Sequence, residues 1–322
     1  MPATEDKPKV LKGTTVEATV VRVVDGDTIR VGVNGSEESL RILSLDTEES
    51  RAAGGKPVSP WGKEAKKEAE KLFKAGDKVK LEFPGDESVE VCLEKYRGNY
   101  GRLLVFVYLH DGTDFQEYMI NKGFSPYFIK YGYATLPDNH QRYIEAEKEA
   151  QIANRGVWNQ IEVNGSEVRN YAELGVWWYL RAEIIQNYRR FKQTNPDATV
   201  FNTRLDYEQL LELAQAEEEA TIFTELRNPK QVASNNMLIG IGSVEKPFSV
   251  FIPKVDEAAG DKIMSLIKNR YISTDSEHPR RSYAYIQGKL SMYRDKPQII
   301  VTDANQIMDL PQRLGYGDNS RS

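Results

Sequence analysis

The sequence predicts an α+β protein that is mainly β, with two small β-barrels joined by a helical connector. Two observations predict this class. Short strand-like segments separated by turn residues occupy the chain up to Leu109, and similar segments return after Thr221. The stretch between them has mainly helical patterns, and a length of 322 residues is enough for two domains.

The first predicted domain covers residues 1–162 and begins with a β-hairpin. Asp25-Gly26 lies between runs of β-branched residues, where this pair favours a tight turn because glycine accepts positive φ. Ser59 suits the N-cap of a helix, Pro60 its first turn and Gly76 its end. The predicted strands are 16–24, 28–33, 39–45, 78–83 and 101–109, and the predicted helices are 59–76, 114–122 and 138–155.

The rest of the chain is predicted to form a connector and a second domain. Residues 163–205 are interpreted as a helical connector. Residues 206–316 begin with a helix whose acidic run, Glu217–Glu219, is interpreted as a solvated face. Five strands around one helix, 256–268, then indicate a second, smaller barrel. The predicted strands contain the segments TIFTELR, MLIGIGS, FSVFIP, SYAYIQGKLSMY and QIIVTD.

The composition narrows the classes of function. Hydrophobic residues make up 40% and charged residues 28%, as in a globular protein with a substantial core. The net charge of −5 argues against strong non-specific binding of nucleic acid, although a local basic cleft stays open as an alternative. The single cysteine excludes an intramolecular disulfide, and no apolar run is long enough to span a membrane. The N-terminus lacks an apolar signal segment, so we expect a cytoplasmic protein or a secreted mature form whose signal has been removed.

Several charged residues stand at the ends of predicted strands. Asp27 follows the Asp25-Gly26 turn, although aspartate is depleted in strands. Asp46 comes just after an apolar strand that contains Arg41, and Arg102 begins another strand. Strand ends meet at the rim of a barrel, so we expect these side chains to converge. Two carboxylates with a backbone carbonyl and water suit Ca²⁺ or Mg²⁺ rather than zinc, and two arginines suit a phosphate.

At these motifs the chain resembles the staphylococcal nuclease (thermonuclease) family. The family carries D-G-D-T, R-x-x-x-x-D-T-x-E and Y-G-R segments in this order, here Asp25–Thr28, Arg41–Glu49 and Tyr100–Arg102. The resemblance covers about residues 15–160. It implies an OB-fold nuclease barrel with three helices. It also implies a calcium-dependent phosphodiesterase, an endonuclease that acts on DNA and/or RNA.

The resemblance implies a role for each matched residue. The implied Ca²⁺ ligands are the side chains of Asp27 and Asp46 and the backbone carbonyl of Thr47. Glu49 would position the attacking water, and Arg41 and Arg102 would bind the scissile phosphate. The expected substrate-binding side chains are Tyr100, Tyr131 and Tyr133.

The final strands show a weaker resemblance, to small OB-fold domains found beside nuclease domains. It rests on the segment GKLSMYRDKPQII, and such folds commonly bind single strands through aromatic and basic side chains. The residues expected to do so are Tyr283, Tyr285, Tyr293, Arg294 and Lys296. The implied partner is single-stranded or frayed DNA or RNA. No membrane partner is expected, and protein partners stay unspecified.

Other interpretations of the same residues stay open at the level of the sequence. Asp25–Asp27 alone is typical of an ordinary turn, Arg41 and Arg102 are compatible with surface ion pairs, and the tyrosine-rich strands are compatible with a core. The whole chain could also be a non-catalytic scaffold that binds nucleic acid or protein. The intact set of acids and arginines favours the enzyme.

Overall fold

A computed structural model describes residues 13–51, 59–129, 137–159, 171–232, 235–273 and 279–311. The chain divides into two compact units. The first comprises the residues up to Gly98 and from Arg102 to Tyr171, and the second comprises Asn99–Gly101 and the residues from Ala172 onward.

The first unit contains a closed barrel whose strands follow the order β1-β2-β3-β5-β4. Its elements are β1 (Thr15–Asp25), β2 (Thr28–Val33), β3 (Ser36–Ile42), α1 (Pro60–Leu72), β4 (Lys78–Glu82), α2 (Val89–Lys95), β5 (Leu103–Tyr108), α3 (Phe115–Asn121) and α4 (Pro137–Ile152). β1 pairs with both β2 and β4, which closes the barrel, and β3 runs parallel to β5. The five strands predicted for this domain and their closure into a barrel are confirmed.

Alternating apolar side chains build the interior of the barrel. On β2, Ile29 and Val31 are fully buried, whereas Arg30 and Gly32, which alternate with them, are partly exposed. On β3, Leu40 and Ile42 are fully buried as well. The residue between them, Arg41, breaks the expected alternation because it is also buried, at 7% exposure. A buried arginine requires partners that compensate its charge.

Helix α1 begins where its local chemistry predicts. The Ser59 hydroxyl oxygen accepts a hydrogen bond from the Gly62 N–H at 3.3 Å, and Pro60 occupies the first turn. The helix ends at Leu72 rather than at the predicted Gly76. The reason is Phe73, which adopts an extended backbone and packs its buried ring 4.6 Å from the ring of Phe115.

Helix α2 was not expected from the sequence. Its segment contains two valines and a cysteine, which are weak helix formers. The Ser88 side chain caps it by accepting from the Val91 N–H at 3.4 Å, and Cys92 is the residue of the helix that is fully buried. Burial raises the pKa of the Cys92 thiol to about 11, so the thiol stays protonated at neutral pH.

The second unit combines a sheet with three helices among its described residues. Its elements are α5 (Tyr171–Thr194), β6 (Val200–Phe201), α6 (Tyr207–Gln215), β7 (Glu219–Glu225), β8 (Lys230–Val232), β9 (Asn236–Gly240), β10 (Ser249–Ile252), α7 (Ala258–Leu266), β11 (Tyr283–Tyr293), β12 (Lys296–Ile300) and β13 (Ile307–Met308). A short π-helical segment, Ile267–Tyr271, follows α7. The side chains of Ile222, Val250, Ile286 and Ile299 are fully buried in one hydrophobic core.

The strands of the second unit form the predicted second β-rich domain but differ from the predicted smaller, OB-like barrel. Among the described residues they form an open sheet in the order β6-β7-β11-β12-β10-β9-β8, and β13 pairs with β11. Closure is not visible from strand patterns alone, because open and closed sheets share the same alternation of buried and exposed residues. The predicted second β-rich domain is therefore present, but its described strands form a sheet rather than a barrel.

The acidic run Glu217–Glu219 does not form the predicted solvated helix face. Helix α6 ends at Gln215, Glu217 adopts a positive φ of 54°, and Glu219 begins β7. The helix ends in a capping turn, in which the Glu217 N–H donates to the Ala214 carbonyl and the Glu218 N–H donates to the Leu213 carbonyl. No helix in the described part of the chain has both the length and the apolar character to cross a membrane.

Candidate active site

Asp27 lies in the turn between β1 and β2, and it is only 5% exposed. Its Oδ1 accepts a hydrogen bond from the Thr28 hydroxyl at 2.9 Å. Its backbone carbonyl accepts from the Ile42 N–H on β3 at 3.0 Å. The turn and the neighbouring strand together fix this carboxylate at one end of the barrel.

Arg41 joins Asp27 to Asp46. Its Nη1 donates to Asp27 Oδ2, and its Nη2 donates to Asp46 Oδ1 at 2.8 Å and to the Leu45 carbonyl at 3.0 Å. The three charged side chains are each at most 9% exposed. Charge-assisted hydrogen bonds are strong where water is excluded, so one guanidinium holds two carboxylates from different segments. The alternative that Arg41 forms a surface ion pair is therefore wrong.

Arg102 and Thr47 border the same cluster. Arg102 Nη1 donates to Thr28 Oγ1 at 3.4 Å, and the same hydroxyl donates to Asp27. Thr47 is 3% exposed, and its side chain lies so close to Gly26 that a Cβ there would meet Thr47 Cγ2 at 2.8 Å. Hydrogen bonds thus connect Asp27, Arg41 and Asp46 directly and Arg102 through Thr28, and Thr47 lies beside Gly26 at the same turn.

Asp25 ties the loop after β3 to the β1–β2 turn. Its Oδ1 accepts from the Gly26 N–H at 2.9 Å, and its Oδ2 accepts from the Ser50 hydroxyl at 3.1 Å and the Ser50 N–H at 3.4 Å. Asp25 therefore has a second role besides forming the predicted turn. It fixes the end of the loop directly after Glu49.

Helix α1 holds the backbone of Glu49 from the other side. A Cβ placed on Gly62 would lie 2.3 Å from the Glu49 carbonyl oxygen and 2.8 Å from that of Glu48. Only glycine leaves room for such an approach between a helix and a loop. The position of Glu49 thus depends on a glycine that lies thirteen residues further along the chain.

Replacing Gly62 with alanine is expected to destabilise the first unit by about 1–3 kcal/mol, the usual cost of overpacking. The new methyl group would overlap the Glu49 carbonyl and force the loop away from α1. Urea unfolding measures this effect. The control is Gly32→Ala on β2, where a Cβ would meet nothing closer than 4.0 Å. Equal stability of the two variants would contradict the close approach.

The segment after α3 supports Asp46. The Asp46 N–H donates to Ser125 Oγ at 2.9 Å, and Leu45 forms an isolated antiparallel bridge with Tyr127. The Tyr127 N–H donates in turn to Glu147 Oε1 on α4 at 2.8 Å. Loss of water around the half-buried carboxyl raises the pKa of Glu147 to about 7. Helix α4 is thereby linked to Asp46 through the segment that contains Ser125 and Tyr127.

The raised pKa of Glu147 predicts a pH-dependent stability. A carboxyl group with a higher pKa in the folded chain than its ordinary 4.5 stabilises the fold below pH 4.5, and this contribution is lost as the pH rises through about 7. At about 1.4 kcal/mol per pKa unit the loss reaches at most about 3 kcal/mol, and less because the group is not fully buried. Glu147→Gln keeps an acceptor for Tyr127 and is expected to remove this slope.

Urea unfolding at pH 5 and pH 8 measures the slope, and Glu145→Gln is the matched control. Glu145 is an exposed carboxylate on the same helix and accepts from Gln141 Nε2 at 2.8 Å. We expect the Glu145 variant to keep the parental slope. Parallel pH profiles of the Glu147 variant and the parent would show that another group is responsible.

Of the three expected substrate tyrosines, Tyr100 is the one within the described residues. Tyr100 is 75% exposed in the turn before β5, and Tyr131 and Tyr133 lie outside the described residues. Within the described ranges, no group of three or more His, Cys, Asp or Glu side chains is placed to hold a metal ion. A Ca²⁺ ion held by Asp27 and Asp46 would therefore need its other oxygen ligands from the backbone, water or substrate.

Two of the residues expected to bind single strands in the second unit are part of the core. Tyr283 and Tyr285 are 3% and 4% exposed, and their rings pack 5.5 Å and 4.9 Å from the ring of Phe223. The prediction that these two tyrosines bind nucleic acid is therefore wrong. Tyr293, Arg294 and Lys296 are exposed at the hairpin between β11 and β12.

Thr28, Ser50 and Ser125 are supporting residues that the sequence predictions lack. Thr28 belongs to the D-G-D-T motif, where a hydroxyl group beside two acids indicates a hydrogen bond to one of them. Ser50 directly follows the acidic segment, and its hydroxyl group gives the same indication. Ser125 gives no such signal, because its contact with Asp46 joins positions 79 residues apart.

Known proteins are similar to this chain in the region that contains the candidate site. A family described as staphylococcal nuclease homologue matches residues 39–160, a range that includes Arg41, Asp46 and Arg102 but not Asp27. The SPbeta prophage-derived endonuclease YokF of Bacillus subtilis is 34% identical over 146 residues, which are 45% of this chain and 45% of that protein. Endonuclease YncB of the same organism is 33% identical over 146 residues, 45% of this chain and 63% of that protein.

The match covers a larger share of the length of a third relative. The thermonuclease of Staphylococcus hyicus is 32% identical over 143 residues, which are 44% of this chain and 74% of that protein. The chain thus spans about half of YokF and under two thirds of YncB, but about three quarters of the thermonuclease. The family match ends at residue 160, so it does not include the part of the second unit that begins at Ala172.

Proposed function

Because the chain belongs to the staphylococcal nuclease homologue family, we propose that it is a nuclease that hydrolyses phosphodiester bonds in DNA and/or RNA with the help of Ca²⁺. The proposed substrate is single-stranded or frayed DNA or RNA. The names of the relatives, two endonucleases and a thermonuclease, support this class of reaction.

The observation that carries the proposal is the buried cluster around Arg41. Its guanidinium contacts Asp27 and Asp46, which belong to two different segments of the chain. Burying two carboxylates and an arginine is costly unless the group has a function or excellent partners. A plain structural turn would need none of these three charges, so the cluster favours a chemical role.

The residues of the cluster suit the hydrolysis of a phosphodiester. Water attacks phosphorus, a new P–O bond forms, and the bond to the leaving oxygen breaks. Glu49 is proposed to orient this water and accept its proton. Arg41 and Arg102 are proposed to bind the non-bridging oxygens and to neutralise the charge that builds up on them. The leaving oxygen takes its proton from solvent.

The donor set at this end of the barrel fits Ca²⁺. Asp27 and Asp46 supply hard oxygen atoms, and both contact the same guanidinium. Asp27, Asp46 and the Thr47 carbonyl are the proposed ligands. When bound, the ion would add electrostatic stabilisation of the developing charge on the phosphate.

Cleavage of end-labelled single-stranded DNA and RNA, with Ca²⁺, Mg²⁺ or chelator, tests the proposal. We expect cleavage with Ca²⁺, weaker cleavage with Mg²⁺, which demands a tighter octahedral shell, and none with chelator. Asp27→Asn is expected to abolish both the cleavage and the rise in unfolding temperature on adding Ca²⁺.

Asp86→Asn is the control for the loss of one negative charge, because Asp86 is an exposed acid of the same unit. It is expected to cleave and to respond to Ca²⁺ like the parent. Full activity in chelator would exclude the metal. Binding of single strands without cleavage under any condition would instead favour the scaffold alternative.

A further inference from the structure

A groove crosses the outer face of the sheet in the second unit. It encloses about 860 Å³ and is formed by β8, β9, β10, β12 and the end of β11. Its lining residues are Val232, Asn236, Leu238, Ser249, Phe251, Tyr293, Arg294, Lys296 and Gln298. These positions alternate with core residues along each strand, so the groove is the face of the sheet opposite the hydrophobic core.

The register places these side chains side by side across neighbouring strands. Leu238 pairs with Phe251 between β9 and β10, and Ser249 pairs with Gln298 between β10 and β12. Gln298 Nε2 donates to Ser291 Oγ on β11 at 3.1 Å. The floor of the groove therefore offers one aromatic ring beside amide and hydroxyl groups.

The hairpin between β11 and β12 forms a basic and aromatic wall. Tyr293 is 58% exposed, and the Arg294 guanidinium lies 5.3 Å from the centre of its ring. Arg294 and Asp295 both have positive φ, which fits a two-residue turn that matches the twist of the strands. The Tyr293 ring is thus presented by a rigid hairpin and supported by a cation.

The charge of the groove contrasts with that of the chain. Its charged lining residues in the described part of the chain are Arg294 and Lys296, both cations, whereas the whole chain carries a net charge of −5. Asp295 is exposed in the same turn but does not line the groove, so the charge of the lining comes from the two cations, which are complementary to a polyanion. The exposed aromatic groups add a feature that a simple phosphate site does not need.

We infer that this groove binds single-stranded nucleic acid. Lys296 and Arg294 would contact phosphates, and Tyr293 and Phe251 would stack on bases, which present a π face whatever their sequence. Gln298 and Asn236 would offer hydrogen bonds to base edges. The inference does not rest on the proposed cleavage reaction, because all groups that carry it belong to the second unit.

Fluorescence anisotropy with labelled oligothymidine and oligouridine tests the inference on the full chain. Measurements are made in chelator, and gel electrophoresis shows that the probe stays intact. Tyr293→Ala is expected to weaken binding about fivefold or more, as for the loss of a stacked base. Lys296→Gln is expected to weaken binding and to reduce the slope of log affinity against log salt by about one unit. Arg294→Asn removes the other cation while keeping a residue that tolerates positive φ.

Lys289→Gln is the matched control for charge. Lys289 is an exposed lysine of the same strand β11, where it pairs with Glu217 at 2.6 Å and does not line the groove. It is expected to keep the parental affinity and salt slope. Thermal unfolding of each variant shows that its fold is intact.

Three results of the binding measurements would overturn the inference. One is parental affinity in all groove variants, and another is an equal loss in Lys289→Gln. The third is equally strong binding of poly-glutamate with no dependence on Tyr293, since this would indicate an acidic protein partner. Ultraviolet crosslinking of oligothymidine, followed by mass spectrometry, gives a readout that does not depend on variants. The adducts are expected on β10 or on the β11–β12 hairpin, and adducts confined to the first unit would count against the groove.

Discussion

Replacing Glu49 with glutamine is expected to lower kcat on single-stranded DNA by about 10²- to 10⁴-fold, with KM changed little. Glutamine keeps the size of the side chain and can still hold a water molecule. It cannot accept the proton that the water loses on attacking phosphorus. The affinity for substrate is proposed to rest on Arg41 and Arg102, which this change leaves in place. Single-turnover cleavage of an end-labelled strand separates the chemical step from binding.

Glu48→Gln is the matched control for this experiment. The two glutamates are adjacent in the loop after β3, and both changes remove one negative charge. Glu48 is 2% exposed, whereas Glu49 is partly exposed and therefore more accessible to water and substrate. The Glu48 variant is expected to keep kcat within a few-fold of the parent. The reverse outcome, with activity lost at Glu48 and kept at Glu49, would move the proposed base to Glu48.

The parts of the fold that the sequence predicted well are those governed by local chemistry. The β1–β2 turn needs only Asp25-Gly26, and α1 needs only Ser59 and Pro60 at its start. Local patterns also located two charged residues of the first unit, because Asp27 directly precedes β2 and Arg102 directly precedes β5. Arg41 lies within β3 and Asp46 lies beyond the end of that strand, so the contact between them depends on the loop that follows it.

Long-range packing decided the features that the sequence did not predict. Tyr285 and Tyr293 both lie on β11, and nothing in their local sequence separates a core residue from a surface residue. Tyr285 is buried because Phe223, on the neighbouring strand β7, lies against it. Tyr293 is exposed because β11 has passed beyond β7 and pairs there with Lys296 at the hairpin.

In the candidate site, too, local sequence was predictive and long-range packing was not. The sequence predicted which groups carry charge, but not that Arg41 is shared by two carboxylates. From the sequence alone, arginine at this position is compatible with a surface ion pair. The structure shows instead that Arg41 contacts both Asp27 and Asp46. Ser125 and Gly62 hold the loop through contacts whose partners are distant in sequence. Such contacts depend on shape, which a single sequence does not reveal.

Replacing Arg41 with methionine is expected to lower the free energy of unfolding by about 3–5 kcal/mol without Ca²⁺, and to abolish cleavage. The change leaves Asp27 and Asp46 buried without the guanidinium that contacts both of them. Methionine fills a similar volume, so the loss reports charge compensation rather than a cavity. Arg41→Lys keeps the charge but lacks the planar fork, so we expect most of the stability to return and most of the activity to stay lost.

Arg30→Met is the control for removing an arginine from the same barrel. Arg30 pairs with Glu37 through a hydrogen bond of 2.9 Å, and the two side chains are 42% and 48% exposed. Exposed pairs contribute about 0–1 kcal/mol, so this variant is expected to unfold within that range of the parent.

Addition of Ca²⁺ to Arg41→Met shows whether Asp27 and Asp46 bind the ion or serve only to hold Arg41. If the two carboxylates bind the ion, Ca²⁺ must raise the unfolding temperature of Arg41→Met by more than that of the parent, because the ion replaces the missing positive charge. An equal rise in both proteins would show that the ion binds elsewhere, and the carboxylates would then serve only to hold Arg41.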